Sequence, residues 1–567
     1  MLLAPLVITA FRALHEGWTN PGGDLALIEL RVRDVGGHTP LLGSYGRYGF
    51  SQPGALWFYV LAIPYRLFGS TYAALQVGVL LVNAAAVVIM VVISRRRGGV
   101  VHVLVVGALL AVLMHGLGPQ WLADPWEPHA LTLMGAALLF LAYDALRGGR
   151  AALVGTVVAA VLLAEAQAGL AVFAILITGW TVGVVVVRAV RAGDSADGGA
   201  ERRSAIRALI ITVAVGAVLA LPPLLALAHH ETGNLADLVR SMRNPTAPTL
   251  GAGSAWRAVA LELGPNAPWL RSTQPLAPFI TSVDLSSRWI TPFGLLGLVV
   301  LVAALVVAAR RRAPAAWFAV TVVIGLVGAV AALARLLGPL FFWIPEWTRA
   351  LGFAGWVAVA WCLYEAAPNA WRRTLDRIAI PLLGVVFAVA SVANVAAAVR
   401  TDPLAHPSVD AVGQLATTVA PDLQGGATLV TAGTDPTQML GGDPGQATLV
   451  LDLERAGVDV VVDADLADHY GAHRAQPGRA VRELRLLTDL DPVPDGYRVV
   501  ATADPLSPDQ RAERTRIVQE HPELGSDVPG KERLAFILAH PEVRADAEAL
   551  NAIPDLPALT LVQRALP

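Results

Sequence analysis

Long apolar runs alternate with short arginine-rich breaks over the first 400 residues, and the pattern changes after that. Apolar runs occupy 71–94, 100–117, 130–146, 151–166, 168–190, 206–228, 288–309, 314–337, 349–366 and 376–399. Each approaches the ~20 residues that cross ~30 Å of hydrocarbon. The opening run, MLLAPLVITAFRALHE, is shorter. It has neither a basic start nor a small-residue cleavage site, so it reads as a first membrane helix, with room for a cytoplasmic start ahead of it, rather than as a signal peptide.

Arginine sets the orientation. Arg95–Arg97, Arg147 and Arg150, Arg191 with Arg202 and Arg203, Arg310–Arg312, and Arg372 and Arg373 each follow an apolar run. Short basic loops stay in the cytoplasm. Five helices therefore run inward, the helices between them return, and 376–399 runs out. The count is about eleven spans, with the N-terminus inside and everything after residue 400 extracytoplasmic. Residues 54–69 (GALWFYVLAIPYRLFG) are the exception. If they crossed, Arg95–Arg97 would fall outside. They are expected to form an interfacial helix in the first outward loop, with Trp57, Tyr59 and Tyr65 at headgroup depth.

Past residue 400 the apolar runs shorten to strand length: 427–432, 447–453, 458–464 and 497–504. Helical patterns lie at 508–521 and 531–553. This predicts a C-terminal α/β domain of about 165 residues. It carries no dinucleotide or P-loop fingerprint, and LGGDPG (440–445) reads as a turn. The expected fold class is mainly α, a polytopic membrane domain over 1–399 with a soluble domain over 400–567.

Composition narrows the function. The chain is 55% hydrophobic and 15% charged, where a soluble domain is about 25% charged. A net charge of −2 gives no reason to expect nucleic acid. The single Cys362 excludes an intramolecular disulfide and argues against thiolate chemistry. The bias toward Ala, Val, Leu, Gly and Arg, with scarce lysine, suggests a GC-rich bacterial genome.

Chemistry-bearing residues collect on the outward loops. The first loop, 17–53, carries Asp24, Glu29, Arg31, Arg33, Asp34, Tyr45, Arg47 and Tyr48. Leu25–Val35 has helical composition, and Asp24 stands at its start, where a carboxylate can also serve as a helix cap. The second loop, GPQWLADPWEPHAL, holds Asp124, Trp126, Glu127 and His129. Such a set could take a divalent cation (Mg, Mn or Ca) or orient a sugar hydroxyl, though the spacing matches no metal motif. The turn AEAQAG offers Glu165 and Gln167, and the loop from His229 to Ser287 offers His230, Arg240, Arg243, Arg257 and Arg271. Glu346 and Arg349 precede a span. Guanidinium groups beside the bilayer suit phosphate.

The order of these features resembles the GT-C superfamily of polyprenyl-phosphate-dependent glycosyltransferases. A first span leads to an outward loop with an acidic residue, a short helix ending in Arg33, and the segment Pro53–Gly69, P-x-x-x-W-F-Y closing with F-G. A basic-ended span and an acidic second outward loop follow. The likeness covers residues 1–190, and the remaining spans by architecture alone. It implies a general base at Asp24, with Glu29 as the alternative because several members carry paired acids where this chain has Gly23-Asp24. It places Asp124, with Glu127 as rival, at the second acidic position. It implies a polyprenyl-phosphate-linked sugar donor and a cell-envelope glycan, glycolipid or protein acceptor. The rival class is a transporter or flippase of lipid-linked cell-envelope precursors, which would tend to show internal repeats and broken midplane helices. A third is a scaffold whose soluble domain binds wall polymer.

Overall fold

The computed structural model describes the chain except residues 47–48, 193–198, 229–231, 245–246, 272–281, 405, 432–444, 490, 526–527, 529 and 567. It divides into two compact units. One comprises Met1–Thr19 and Arg31–Pro403, and the other Asn20–Leu30 and Leu404–Pro567.

The first unit is helical. In chain order its helices are α1 (Ala4–Glu16), the end of α2 (Asp24–Asp34), α3 (Leu56–Leu67), α4 (Tyr72–Ala123), α5 (Glu127–Ala130), α6 (Thr132–Leu146), α7 (Arg150–Ala166), α8 (Ala168–Ala192), α9 (Gly199–Leu219), α10 (Leu221–Ala228), α11 (Thr232–Arg243), α12 (Gly251–Leu263), α13 (Ile290–Arg310), α14 (Ala316–Ala334), α15 (Arg349–Ala366) and α16 (Asn369–Arg400). A short hairpin pairs β1 (Tyr45–Gly46) with β2 (Phe50–Ser51).

Five of these helices are long and apolar enough to cross a membrane, or six with α9 and α10 taken as one span bent by 51°. Pro222 and Pro223 follow that bend, where a ring cannot donate to the helical ladder. Only 17% of the most apolar stretch of α16 and 22% of that of α13 are buried. Apolar helices bare on this scale need lipid rather than water around them. The chain is a multi-pass membrane protein.

At 52 residues α4 would be ~78 Å long if straight, more than twice the hydrocarbon thickness. It is broken at Gly99 (φ 71°, ψ −150°), a conformation L-residues avoid, just after Arg95–Arg97. The first half ends on the arginine cluster and the second half leads away from it.

Hydrogen bonds sort the helix ends into two groups. In one, Arg97 holds the carboxylate of Asp144 at the end of α6, Arg188 reaches the Leu146 carbonyl, and Arg150 Nε donates to Ser204 Oγ at 2.8 Å. His102 meets Glu365 at 3.0 Å, and Glu365 accepts the Ala315 N–H at 2.7 Å. In the other, Trp57 Nε1 donates to the Pro125 carbonyl at 2.9 Å, the Ala168 N–H to Gln52 at 2.7 Å, and Gln120 to the Asp402 carbonyl at 3.0 Å. The arginine-rich ends thus fall in one group, and Gln52, Trp57, Gln120, Pro125 and Ala168 in the other. Residues 52–57 lie with the second group, and the first half of α4 leads from them to Arg97. Helix α3 has 12 residues and is ~18 Å long, shorter than ~30 Å of hydrocarbon.

One expectation about α3 is corrected. Trp57 is 1% exposed and Tyr65 2%, so both rings face protein rather than headgroups. The segment has apolar residues all round, and packing against α4 and α7 takes the aromatic side. The residues left bare are Ile63, Arg66 and Leu67.

The second unit carries a five-stranded sheet of order β4-β3-β5-β7-β6, formed by β3 (Ala427–Thr431), β4 (Val460–Val461), β5 (Ala480–Thr488), β6 (Arg498–Ala503) and β7 (Leu559–Ala565). β3 runs parallel to β4 and β5, while β7 is antiparallel to β5 and β6. Helices α17 (Pro407–Val419), α18 (Gly445–Arg455), α19 (Ala467–Tyr470), α20 (Pro508–Glu520), α21 (Gly530–Ala539) and α22 (Arg544–Ala552) complete it. The run ATLVLDL (447–453), expected as a strand, is the body of α18. It is buried from Ala447 to Leu451, and a short fully apolar run looks alike in a buried strand and a buried helix. The expected turn at 440–444 lies outside the described residues.

The start of α2 belongs to this unit. Ala26 and Leu30 are wholly buried in one apolar cluster with Val412, Leu415, Val450, Leu453 and Leu484.

Candidate active site

In the second unit, Asp24 opens α2. The turn before it is tied by Asn20, whose Oδ1 accepts the Gly22 N–H at 2.8 Å. The Gly23 carbonyl accepts the first helical N–H groups, from Ala26 at 3.0 Å and Leu27 at 3.2 Å. Asp24 therefore does not cap the helix, and among the described residues its carboxylate makes no hydrogen bond or ion pair. Its side chain is exposed by accessible area, while surrounding protein is close enough that desolvation raises its pKa above the ordinary carboxylate value.

Glu29 differs. It is 0% exposed, receives Asn20 Nδ2 at 2.9 Å and forms an ion pair with Arg455. Arg455 also meets Asp452 at 3.0 Å. The expectation of Glu29 as an alternative base meets a physical obstacle: a wholly buried carboxylate already holding an amide and a guanidinium is out of reach of an acceptor hydroxyl.

In the first unit, the second outward loop folds into a buried knot. Asp124 Oδ2 lies 2.5 Å from His129 Nδ1, and Oδ1 accepts the Trp126 N–H at 3.0 Å. The His129 ring packs on Trp121 (centroids 3.7 Å apart) and meets the Trp126 ring edge-on at 4.9 Å. Its Nε2 is buried without a hydrogen-bond partner among the described residues. Glu127 is buried and accepts Ser44 Oγ at 2.5 Å. Two prolines, Pro125 and Pro128, hold this turn rigid.

Glu346 and Arg349 form an ion pair at the entry to α15. Arg349 also donates to the Gly116 carbonyl at 3.1 Å and lies 5.7 Å from the Trp121 ring centroid. Glu346 Oε2 is buried and, among the described residues, unpartnered. Burial raises the Glu346 pKa, opposed by Arg349 and His129. Sequence reasoning missed Glu262, a lone carboxylate in the apolar run of α12. It is 4% exposed, and burial pushes it up to about 8, with Arg349 opposing and Glu346 adding. Gly352 allows the close fit, because a Cβ there would lie 2.5 Å from the Glu262 carbonyl and from Trp269 Nε1. Asp124, His129, Glu346, Arg349 and Glu262 are thus one electrostatic neighbourhood.

Glu165 ends α7 and turns onto the first loop. Its Oε2 accepts the Leu56 N–H at 3.3 Å, and its Oε1 is buried and unpartnered. Gly54 lies against this carboxylate with no room for a Cβ. Gln167 is half-buried with an unpartnered Oε1. Tyr45 is half-buried on β1, and α11 is pinned to the hairpin where Ser51 N donates to Asn234 at 2.6 Å.

Other expected residues are elsewhere. Arg240 and Arg243 are exposed on α11, and Arg240 is paired with Asp237. Arg33 is half-buried near the end of α2. Arg47 and His230 lie outside the described residues. Asp124, Glu127 and His129 do not converge as a three-ligand set. Among the described residues only Glu520, His521 and Asp546 do, and there Arg516 already supplies the positive charge.

No protein-family model matches the chain. No curated protein matches it either. Among solved structures the chain is similar to ArnT from Cupriavidus metallidurans in the apo state, with 13% identity and a TM-score of 0.48 over 85% of this chain and 92% of that one. It is similar also to ArnT from the same organism bound to undecaprenyl phosphate, with 15% identity and a TM-score of 0.49 over 86% and 92%.

Proposed function

We propose that the chain is an integral-membrane glycosyltransferase. It moves a sugar from a polyprenyl-phosphate donor to an extracytoplasmic glycan, lipid or protein. The observation that carries this reading is the buried cluster Asp124–His129–Glu346–Arg349–Glu262, held among membrane helices with polar atoms left unpartnered. A structural polar network would satisfy its members. Carboxylate oxygens and an imidazole nitrogen left open suit a polar substrate group.

The reaction needs a base on the acceptor hydroxyl and cations on the leaving phosphate. Asp24 takes the hydroxyl proton as the acceptor oxygen bonds to the anomeric carbon. The carbon–oxygen bond to phosphate breaks, and the phosphate leaves with the electron pair. Asp24 is assigned from its place in the motif order and from its unengaged carboxylate. Arg349 is the phosphate-side cation, and His129, oriented by Asp124, is a hydrogen-bonding partner of the sugar or phosphate. Glu165, Gln167, Tyr45 and Trp126 are assigned to shaping the substrate site. No step is routed through a metal ion.

The test is sugar transfer or donor hydrolysis by purified protein given synthetic polyprenyl-phosphate sugars. Failure to turn over any donor, together with vesicle translocation of an intact lipid-linked precursor, would replace the enzyme with the flippase.

A further inference from the structure

We infer that Arg455 is a positioning residue for the proposed base, through a polar tether that fastens the Asp24 segment into the C-terminal domain. The inference rests on the assignment of Asp24 above.

The segment 20–30 is not a free loop. Ala26 and Leu30 lie in the apolar cluster built from α17, α18 and the sheet. Between them Glu29, wholly buried, is paired with Arg455 at the end of α18. Asn20 closes the other end, donating from Nδ2 to Glu29 at 2.9 Å and to the Leu25 carbonyl at 3.1 Å. Its Oδ1 holds the Gly22 N–H at 2.8 Å. The side-chain hydrogen bonds of the turn that presents Asp24 therefore run through Asn20 to one carboxylate, and that carboxylate is paired with Arg455.

Stability alone gives a poor reason for this arrangement. A buried ion pair commonly contributes no more than an apolar pair of the same volume, because both charges lose their hydration. It does fix orientation, since a guanidinium accepts a carboxylate in few geometries. Asp24 is five residues from Glu29 on the same helix, ~7.5 Å along its axis. Rotation of α2 about that axis would swing Asp24 and would also turn Ala26 and Leu30 out of their apolar cluster, so packing and the ion pair resist it together. The Glu29–Arg455 pair opposes that rotation.

The test uses the full chain in detergent or nanodiscs. Arg455→Met should raise hydrogen exchange in 25–30 by about tenfold or more while the β3 amides stay protected. It should lower kcat with donor KM little changed, and Arg455→Lys should recover part of the loss. Because Arg455→Met strands a buried charge, the double variant Glu29→Gln/Arg455→Met, which removes both charges, is the companion. Its kcat should stay below that of the unaltered protein although its core folds. Wild-type exchange in 25–30 in Arg455→Met, or wild-type kcat in the double variant, would overturn the inference. The base assignment fails separately, through full activity of Asp24→Asn. Exchange in 25–30 would still respond to Arg455→Met in that case.

Discussion

Nδ1 of His129 lies 2.5 Å from Oδ2 of Asp124, and this contact decides which ring nitrogen is available for chemistry. An ionised Asp124 places the ring proton on Nδ1, leaving Nε2 as an open acceptor in the neutral ring. Asp124→Asn weakens that preference and offers an amide in place of an anion. Transfer should fall by about 10²-fold or more, a loss in the range for a positioned acid–base partner. Steady-state kinetics of Asp124→Asn with the synthetic donor, beside circular dichroism of the same preparation, check that the loss is in transfer and not in folding.

Asp24→Asn should abolish sugar transfer while leaving expression and membrane insertion intact. Among the described residues its carboxylate makes no hydrogen bond that the fold would miss. Circular dichroism and size exclusion check the fold, and the synthetic-donor assay checks activity. Full activity would remove Asp24 as base.

Arg349→Met leaves Glu346 buried without its partner, a change that costs about 3–5 kcal/mol when the charge is retained. Thermal unfolding in detergent should show the loss, and Arg349→Lys should show less of it. Donor KM should rise in both, because the planar fork that suits phosphate is gone.

Glu262 gives the first unit a pH dependence. Its carboxyl is raised from 4.5 to about 8, so the folded state binds the proton that the unfolded chain releases. The resulting stability is fully present below about pH 4.5 and is lost as pH rises through about 8. Midpoints of thermal unfolding should therefore fall across that window. Glu262→Gln should flatten the fall, and an unchanged slope would show that another group is responsible.

A reporter fused after Arg97 should read cytoplasmic. Arg97 shares its face with Asp144, and the candidate loops cluster at the other helix ends. An external reading would require α3 to cross the membrane.

Much of the membrane unit was legible because two signals agree there: apolar runs of span length, and arginines at alternate breaks. The helix positions follow those runs closely, and the break at Gly99 falls beside Arg95–Arg97. Local pattern failed where several structures share one pattern. ATLVLDL is equally apolar as strand or helix, and the aromatic residues of α3 suit a headgroup layer as well as a protein interior. It could not reveal Glu262, whose surroundings come from α15 and the loop before it. Nor could it assign Glu29, because its partner Arg455 lies 426 residues away and no periodicity links them.

That separation also sets a clock. Chains are extended at about 5–20 residues per second, so the partner of Glu29 is made some 20–85 s after Glu29 itself. Throughout that interval the residues around Asp24 lack the core in which Ala26 and Leu30 are finally buried. A nascent or C-terminally truncated chain can hold every membrane helix and still lack the core that orders residues 20–30. Completion of the C-terminal domain thereby becomes the event that organises residues 20–30.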